Sequence, residues 1–150
     1  MTAENEFTAA LAALCGPDGG VAPNGDGEWT FSFAGVPVKM VCRPDAPDDV
    51  FCYAKVGSLA EIGDPGILLT DMLESNFFWI GNAGSTVAVV PDTDDVLLQD
   101  RREASYFADA ETLKGYLAAF ADKARMWYGH IETYRRAIAE DAAEEGEVRE

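Results

Sequence analysis

"NFFWIGNAGSTVAVVPDTDD", residues 76–95, decides how this chain is read. Three aromatics and an isoleucine lead into Gly81-x-x-Gly84, then an apolar run, then a cluster of aspartates. A phosphate loop sets Gly-Lys-Ser/Thr ahead of a helix, because the lysine neutralises phosphate and the helix N-terminus adds donors. Here Ser85 follows Gly84 without a lysine, and "STVAVV" has the composition of a strand. A calcium loop opening at Asp92 would put Asp94 at position 3 and Glu103 at position 12. Val96 and Leu97 would then stand at positions 5 and 6, where an oxygen ligand and a glycine are needed. Asp92, Asp94 and Asp95 read instead as turn residues between two strands. The stretch is a helix end, a glycine turn and a hairpin.

Working outward, "GDPGILLTDMLESNFF" has helical spacing, predicting a helix over 66–78 with Leu69, Met72, Leu73 and Phe77 on one stripe and Leu68 and Asn76 flanking it. Upstream, "EWTFSFAG" alternates, with Trp29, Phe31 and Phe33 on one face. "VPVKMVCR" follows as its hairpin partner, with Val36, Val38, Met40 and Cys42 on one face and Val41 on the other. "VFCYAKV" is apolar on both faces: Val50, Cys52, Ala54 and Val56 on one, Phe51 and Tyr53 on the other. Such a strand is covered on both sides or offers one side to a partner. Phe7, Leu11 and Leu14 mark an N-terminal helix, and "GPDGGVAPNGDG", residues 16–27, is a loop. Downstream, Asp109 is placed to cap a long helix whose apolar face runs Leu113, Leu117, Phe120, Ala124, Trp127 and Ile131. The order α-β-β-β-α-β-β-α, with helices bracketing an antiparallel sheet, is an α+β domain over 1–139. Residues 140–150 hold six acids and one arginine, and are expected to fray as an acidic tail.

Composition narrows the function. The 150 residues are 48% apolar, which argues against a disordered chain, and 27 acids against 11 Lys and Arg give a net charge of −16. That field repels nucleic acid and anionic membrane and favours a basic partner. "MTAENEF" lacks the positive charge of a signal peptide, and no run approaches the length of a membrane span, so a cytoplasmic protein is expected. Cys15, Cys42 and Cys52 with His130 alone make no zinc set, and no G-x-S-x-G or paired catalytic carboxylates stand out. The expectation is no catalytic residue, no metal and no cofactor.

"DMLESNFFWIGNAGSTVAVVPDTDDVLLQ" resembles the central signature of class I type III secretion chaperones, the CesT/Tir chaperone family. That signature is a helix ending Leu-x-x-Asn-x-Phe-Trp, a glycine-rich turn, a strand, a Pro-Glu/Asp-Thr turn and a return strand. Leu73, Asn76, Phe78, Trp79, Gly81, Gly84, Thr86, Pro91, Asp92 and Thr93 match it, while Ser75 and Asp95 stand where the family often has Ala and Gly. "GEWTFSFAG", "DDVFCYAKVGSL" and residues 109–127 suit its early strands and last helix. The resemblance implies a homodimeric, non-ATPase chaperone of the bacterial cytoplasm. Such a protein binds the N-terminal segment of a secreted effector and keeps it non-globular for export. Two other readings compete: a YbjN-type protein of the same fold without a secretion role, which neighbouring genes would distinguish, and a small enzyme using scattered carboxylates, whose sign would be a deep polar pocket.

Leu69, Met72, Leu73, Phe77, Phe78 and Trp79 offer more apolar surface than a short helix needs, and are expected at a dimer interface. Val41, Phe51 and Tyr53, opposite the core rows, are expected to bind the client, with acids around them favouring Lys or Arg beside its apolar anchors. Calorimetric titration with calcium, zinc or ATP should give only weak, salt-screened heats. A stoichiometric micromolar calcium isotherm would contradict the reading of the aspartate turn.

Overall fold

The structure, a computed structural model, describes residues 7, 9–10, 28–33, 35–43, 45–60, 62–82 and 84–148. Of the N-terminal helix, Phe7, Ala9 and Ala10 are described and are helical; Leu11, Leu14, Cys15 and the loop 16–27 lie outside the described residues. The elements are β1 (Glu28–Phe33), β2 (Val36–Arg43), β3 (Ala46–Ser58), α1 (Gly66–Ser75), β4 (Thr86–Val89), β5 (Asp95–Glu103) and α2 (Ala110–Val148). Short 3-10 segments run over Phe77–Asn82 and Ala104–Phe107. The five strands form one antiparallel sheet in the order β1-β2-β3-β5-β4, so the fold is α+β.

The chain divides into two compact units, to both of which β3, β5 and α2 contribute residues. The first holds residues 1–54 and 99–122. Its β1–β2 hairpin pairs Phe33 with Val36, and Gly35 supplies the positive φ (82°) that so tight a loop requires. β2 pairs antiparallel with β3, with Met40 opposite Cys52 and Val41 opposite Phe51. An irregularity between Cys42 and Arg43 lets β3 begin at Ala46, four residues earlier than the hydrophobic run suggests. Trp29, Phe31, Val38, Met40, Val50, Cys52 and Ala54 are buried with Phe7, Phe107, Leu113, Leu117 and Phe120. Phe33 and Cys42 are only half-buried. Asp109 caps α2 as expected: its Oδ1 accepts from the Thr112 backbone N–H at 2.8 Å, which holds its carboxyl below the usual carboxylate range.

The second unit holds residues 55–98 and 123–150. Leu68 and Met72, one helical turn apart, are its buried α1 residues, joined by Val56, Ile62, Val87, Val96, Leu98, Ala124, Trp127 and Ile131. The aspartate segment is a hairpin turn: Val90 N–H donates to the Asp95 carbonyl at 2.9 Å, and Asp92 takes a positive φ of 61°. The helix of α2 extends through Val148, into the stretch expected to fray; that stretch is rich in alanine and glutamate, both strong helix formers.

Gly57 on β3 leaves room for a side chain of α2: a Cβ there would lie 2.8 Å from Ile131 Cγ2. Gly57→Ala is expected to cost about 1–3 kcal/mol in denaturant unfolding, the usual range for overpacking. With Ile131→Ala already in place the same change should cost less; an unchanged increment would mean that the contact does not limit β3.

Candidate functional site: an aromatic corner and a strip on the sheet

The quoted stretch builds a corner around one polar side chain. Asn82 is fully buried, a position at which an amide must be hydrogen-bonded. Its Nδ2 donates to Asn76 Oδ1 at 3.0 Å and to Ser75 Oγ at 3.1 Å, and its Oδ1 accepts from Trp127 Nε1 at 2.7 Å. Ser75 Oγ in turn donates to the Met72 carbonyl at 2.7 Å. Asn76 reaches the other way: its Nδ2 donates to the Val87 carbonyl and its Oδ1 accepts from the Val87 N–H, both at 2.9 Å. The side-chain amide thus pairs with β4 as a neighbouring strand would, on the side away from β5.

These bonds end α1 at Ser75, three residues before the expected boundary, and lead the chain out through left-handed backbone. Phe78 (φ 49°, ψ 19°) and Trp79 (φ 58°, ψ 11°) both occupy this region, which is uncommon for residues other than glycine and is strained at two successive aromatics. The two glycines have structural tasks. A Cβ on Gly81 would meet the Ser75 carbonyl oxygen at 3.0 Å, and Gly84 takes φ 91°. Lys123 Nζ donates to the Gly81 carbonyl at 3.0 Å, and the Gly84 N–H to the Trp79 carbonyl at 3.1 Å.

The corner displays apolar side chains. Leu73 is 73% exposed, Phe78 70% and Ile80 79%, and Ile67, Phe77 and Trp79 are also more than half exposed. Phe77 and Phe78 pack on each other with ring centroids 4.4 Å apart. Leu73, Glu74 and Phe77 line an open depression of about 520 Å³. Of the six residues expected at an interface, Leu73, Phe77, Phe78 and Trp79 are thus accessible and Leu69 is half-buried. Met72 is core. The expected stripe is turned: Leu68, assigned to its flank, is buried with Met72, one helical turn away on the same side of α1, and α1 packs against β4. Sequence spacing alone could not tell which apolar side of α1 is covered, and it gave no sign of Asn82, Ile67 or Ile80.

The second candidate surface lies in the first unit. Val41, Phe51 and Tyr53 occupy the sheet face opposite the buried rows and are half-buried. Their cover comes from their own neighbours: the Arg43 and Arg101 guanidinium carbons stand 5.6 and 5.9 Å from the Phe51 ring centroid. The Tyr53 hydroxyl donates to Glu28, which also pairs with Lys39 at 3.3 Å. Burial, then the Glu28 carboxylate, pushes the Tyr53 hydroxyl up to about 12; the Tyr53 hydrogen bond, then Lys39, holds Glu28 below its ordinary value. Arg101 Nε donates to Asp49 at 2.8 Å, and Arg43 forks onto Asp45. An acidic border was expected around the strip; the border instead carries three cations, Lys39, Arg43 and Arg101, paired with three acids.

Burial pushes the Cys52 thiol and the Tyr116 hydroxyl up, leaving both protonated, and Tyr116 donates to Asp100 at 2.8 Å. Among the described residues no group of three or more His, Cys, Asp and Glu could hold a metal, and no helix is long and apolar enough to cross a membrane. His130 Nε2 lies 3.3 Å from Asp71 on an exposed surface. Asn82→Ala would strand the Trp127 N–H and release Ser75 and Asn76, so thermal unfolding should show a loss of about 2–4 kcal/mol. A loss below about 0.5 kcal/mol would show that the hub is dispensable.

The profile of the Tir chaperone protein (CesT) family matches residues 7–128. No curated protein sequence matches significantly. Among solved structures, the fold is similar to a chain of the ExsC–ExsE complex, with a TM-score of 0.68 and 20% identity over 85% of this chain and 95% of that one. It is also similar to a chain of the HopA1–SchA chaperone–effector complex, with a TM-score of 0.61 and 13% identity over 84% of this chain and 95% of that one. With the signature of residues 71–99 folded around Asn76 and Asn82, the chain belongs to the Tir chaperone protein (CesT) family.

Proposed function

We propose that this protein is a type III secretion chaperone of the bacterial cytoplasm. It binds the N-terminal segment of a secreted effector and keeps it non-globular for export. It acts by binding, as a homodimer, and catalyses no reaction. The observation that carries the reading is the accessible apolar corner of Leu73, Phe77, Phe78, Trp79 and Ile80 on a chain of net charge −16. A large exposed aromatic cluster on an otherwise highly charged protein marks an interaction site. Family membership and the likeness to a chaperone–effector complex support the same reading.

The corner serves self-association. Leu73, Phe77, Phe78 and Trp79, with Leu69 at their border and Met72 supporting them from beneath, meet their counterparts in a second copy. Light scattering at micromolar concentration should give twice the 16.2 kDa chain mass. Phe78→Gly removes an exposed ring and relieves a positive φ. It should therefore weaken the dimer at least tenfold while leaving thermal stability of the monomer equal or higher. A monomeric wild type, or a variant that dimerises unchanged, would overturn this assignment.

The strip serves the client. An extended segment lies across Val41, Phe51 and Tyr53, its alternate side chains filling the spaces between them. Where it adds a strand, β1 is the edge that offers backbone groups, since Asn76 occupies Val87 on the opposite edge. Val41→Asp and Tyr53→Asp, checked for fold by circular dichroism, should each weaken a cognate N-terminal segment at least tenfold. Wild-type affinity in both folded variants would remove the strip from the site.

A further inference from the structure

We infer that the client segment carries a carboxylate beside the apolar side chain that docks on Phe51, and that Arg43 receives it in exchange for Asp45. This rests on the client-binding reading of the strip and adds the chemistry of the partner. Three of the chain's 11 Lys and Arg border the strip, although acids outnumber them more than twofold overall. They differ in how firmly they are held. Lys39 and Arg101 pair with Glu28 and Asp49, whose side chains are only 16% and 15% exposed. Removing either cation would leave a largely enclosed carboxylate without it, which is costly. Asp45 is different: it lies two residues from Arg43, beyond the end of β2, and both side chains are more than half exposed. An exposed local ion pair of this kind is weakly held.

Arg43 is also the cation placed to use the exchange. Its guanidinium rests against Phe51, and Val41 pairs with Phe51 across the strands. An apolar side chain docking there excludes water beside the guanidinium and strengthens any charge pair it makes. Its planar fork takes a carboxylate through two parallel hydrogen bonds, the geometry it already has with Asp45. A lysine or arginine at the same client position would instead meet both Arg43 and Arg101. The net charge of −16 still steers basic residues of the client toward the protein, but to other parts of its surface.

The test uses short extended peptides of alternating leucine and serine, identical but for Glu, Gln or Lys beside the central leucine. Binding is followed by nuclear magnetic resonance at Val41, Phe51 and the Arg43 Nε–H. The Glu peptide should bind roughly twofold to fivefold more tightly than the Gln peptide, and the Lys peptide most weakly. Asp45→Asn, which removes the internal competitor, should widen the Glu preference; Arg43→Gln should abolish it. Binding at the strip with Lys equal to or tighter than Glu, or a Glu preference that survives Arg43→Gln, overturns this inference and leaves the strip standing. If none of the peptides perturbs Val41, Phe51 or Tyr53, the strip and the inference fall together.

Discussion

Asn82 is the side chain on which the corner depends. Its fully buried amide joins the end of α1, the Trp127 indole on α2 and, through Asn76, the backbone of β4. Each bond adds only about 1 kcal/mol net, but an unmade one in this setting costs more than a made one contributes. The network is therefore close to all-or-none, which favours a single geometry for the turn. That rigidity lets two consecutive aromatics persist in left-handed backbone, where an isolated peptide would not hold them.

The consequence is an exposed apolar surface. Ordinary packing would fold Phe77, Phe78, Trp79 and Ile80 inward; the hub and its glycines turn them out. On the sheet, by contrast, apolar side chains are kept soluble by their neighbours. Arg43 and Arg101 shelter Phe51, and Tyr53 spends its hydroxyl on Glu28. One surface is exposed outright and the other is screened by cations, the difference on which the proposed assignment of separate partners rests.

Much of this was legible in the sequence where one periodicity acts alone. The alternation of Trp29 with Phe31, and the steps from Leu113 to Ile131, pointed to the faces that are buried. Asp92 as a turn residue and Asp109 as a cap followed from local hydrogen-bond chemistry. The stripe expected over residues 69–77 misled because α1 is apolar on more than one side and ends before Phe77, and only tertiary contact separates Leu68 and Met72 from Leu73. The charge around the strip was equally hidden. Net charge describes the whole surface, whereas Lys39, Arg43 and Arg101 gather on one face through strand pairing that composition does not encode.

The central claim is that the two apolar surfaces have different partners, and site-specific photo-crosslinking tests it most directly. A photoreactive phenylalanine analogue placed at Phe51 or at Phe78 would be irradiated with the chaperone and a cognate effector N-terminal segment together. The account predicts that position 51 captures the segment and position 78 captures a second copy of the chain. Segment captured at position 78 and chaperone at position 51, or the same product from both, would contradict it.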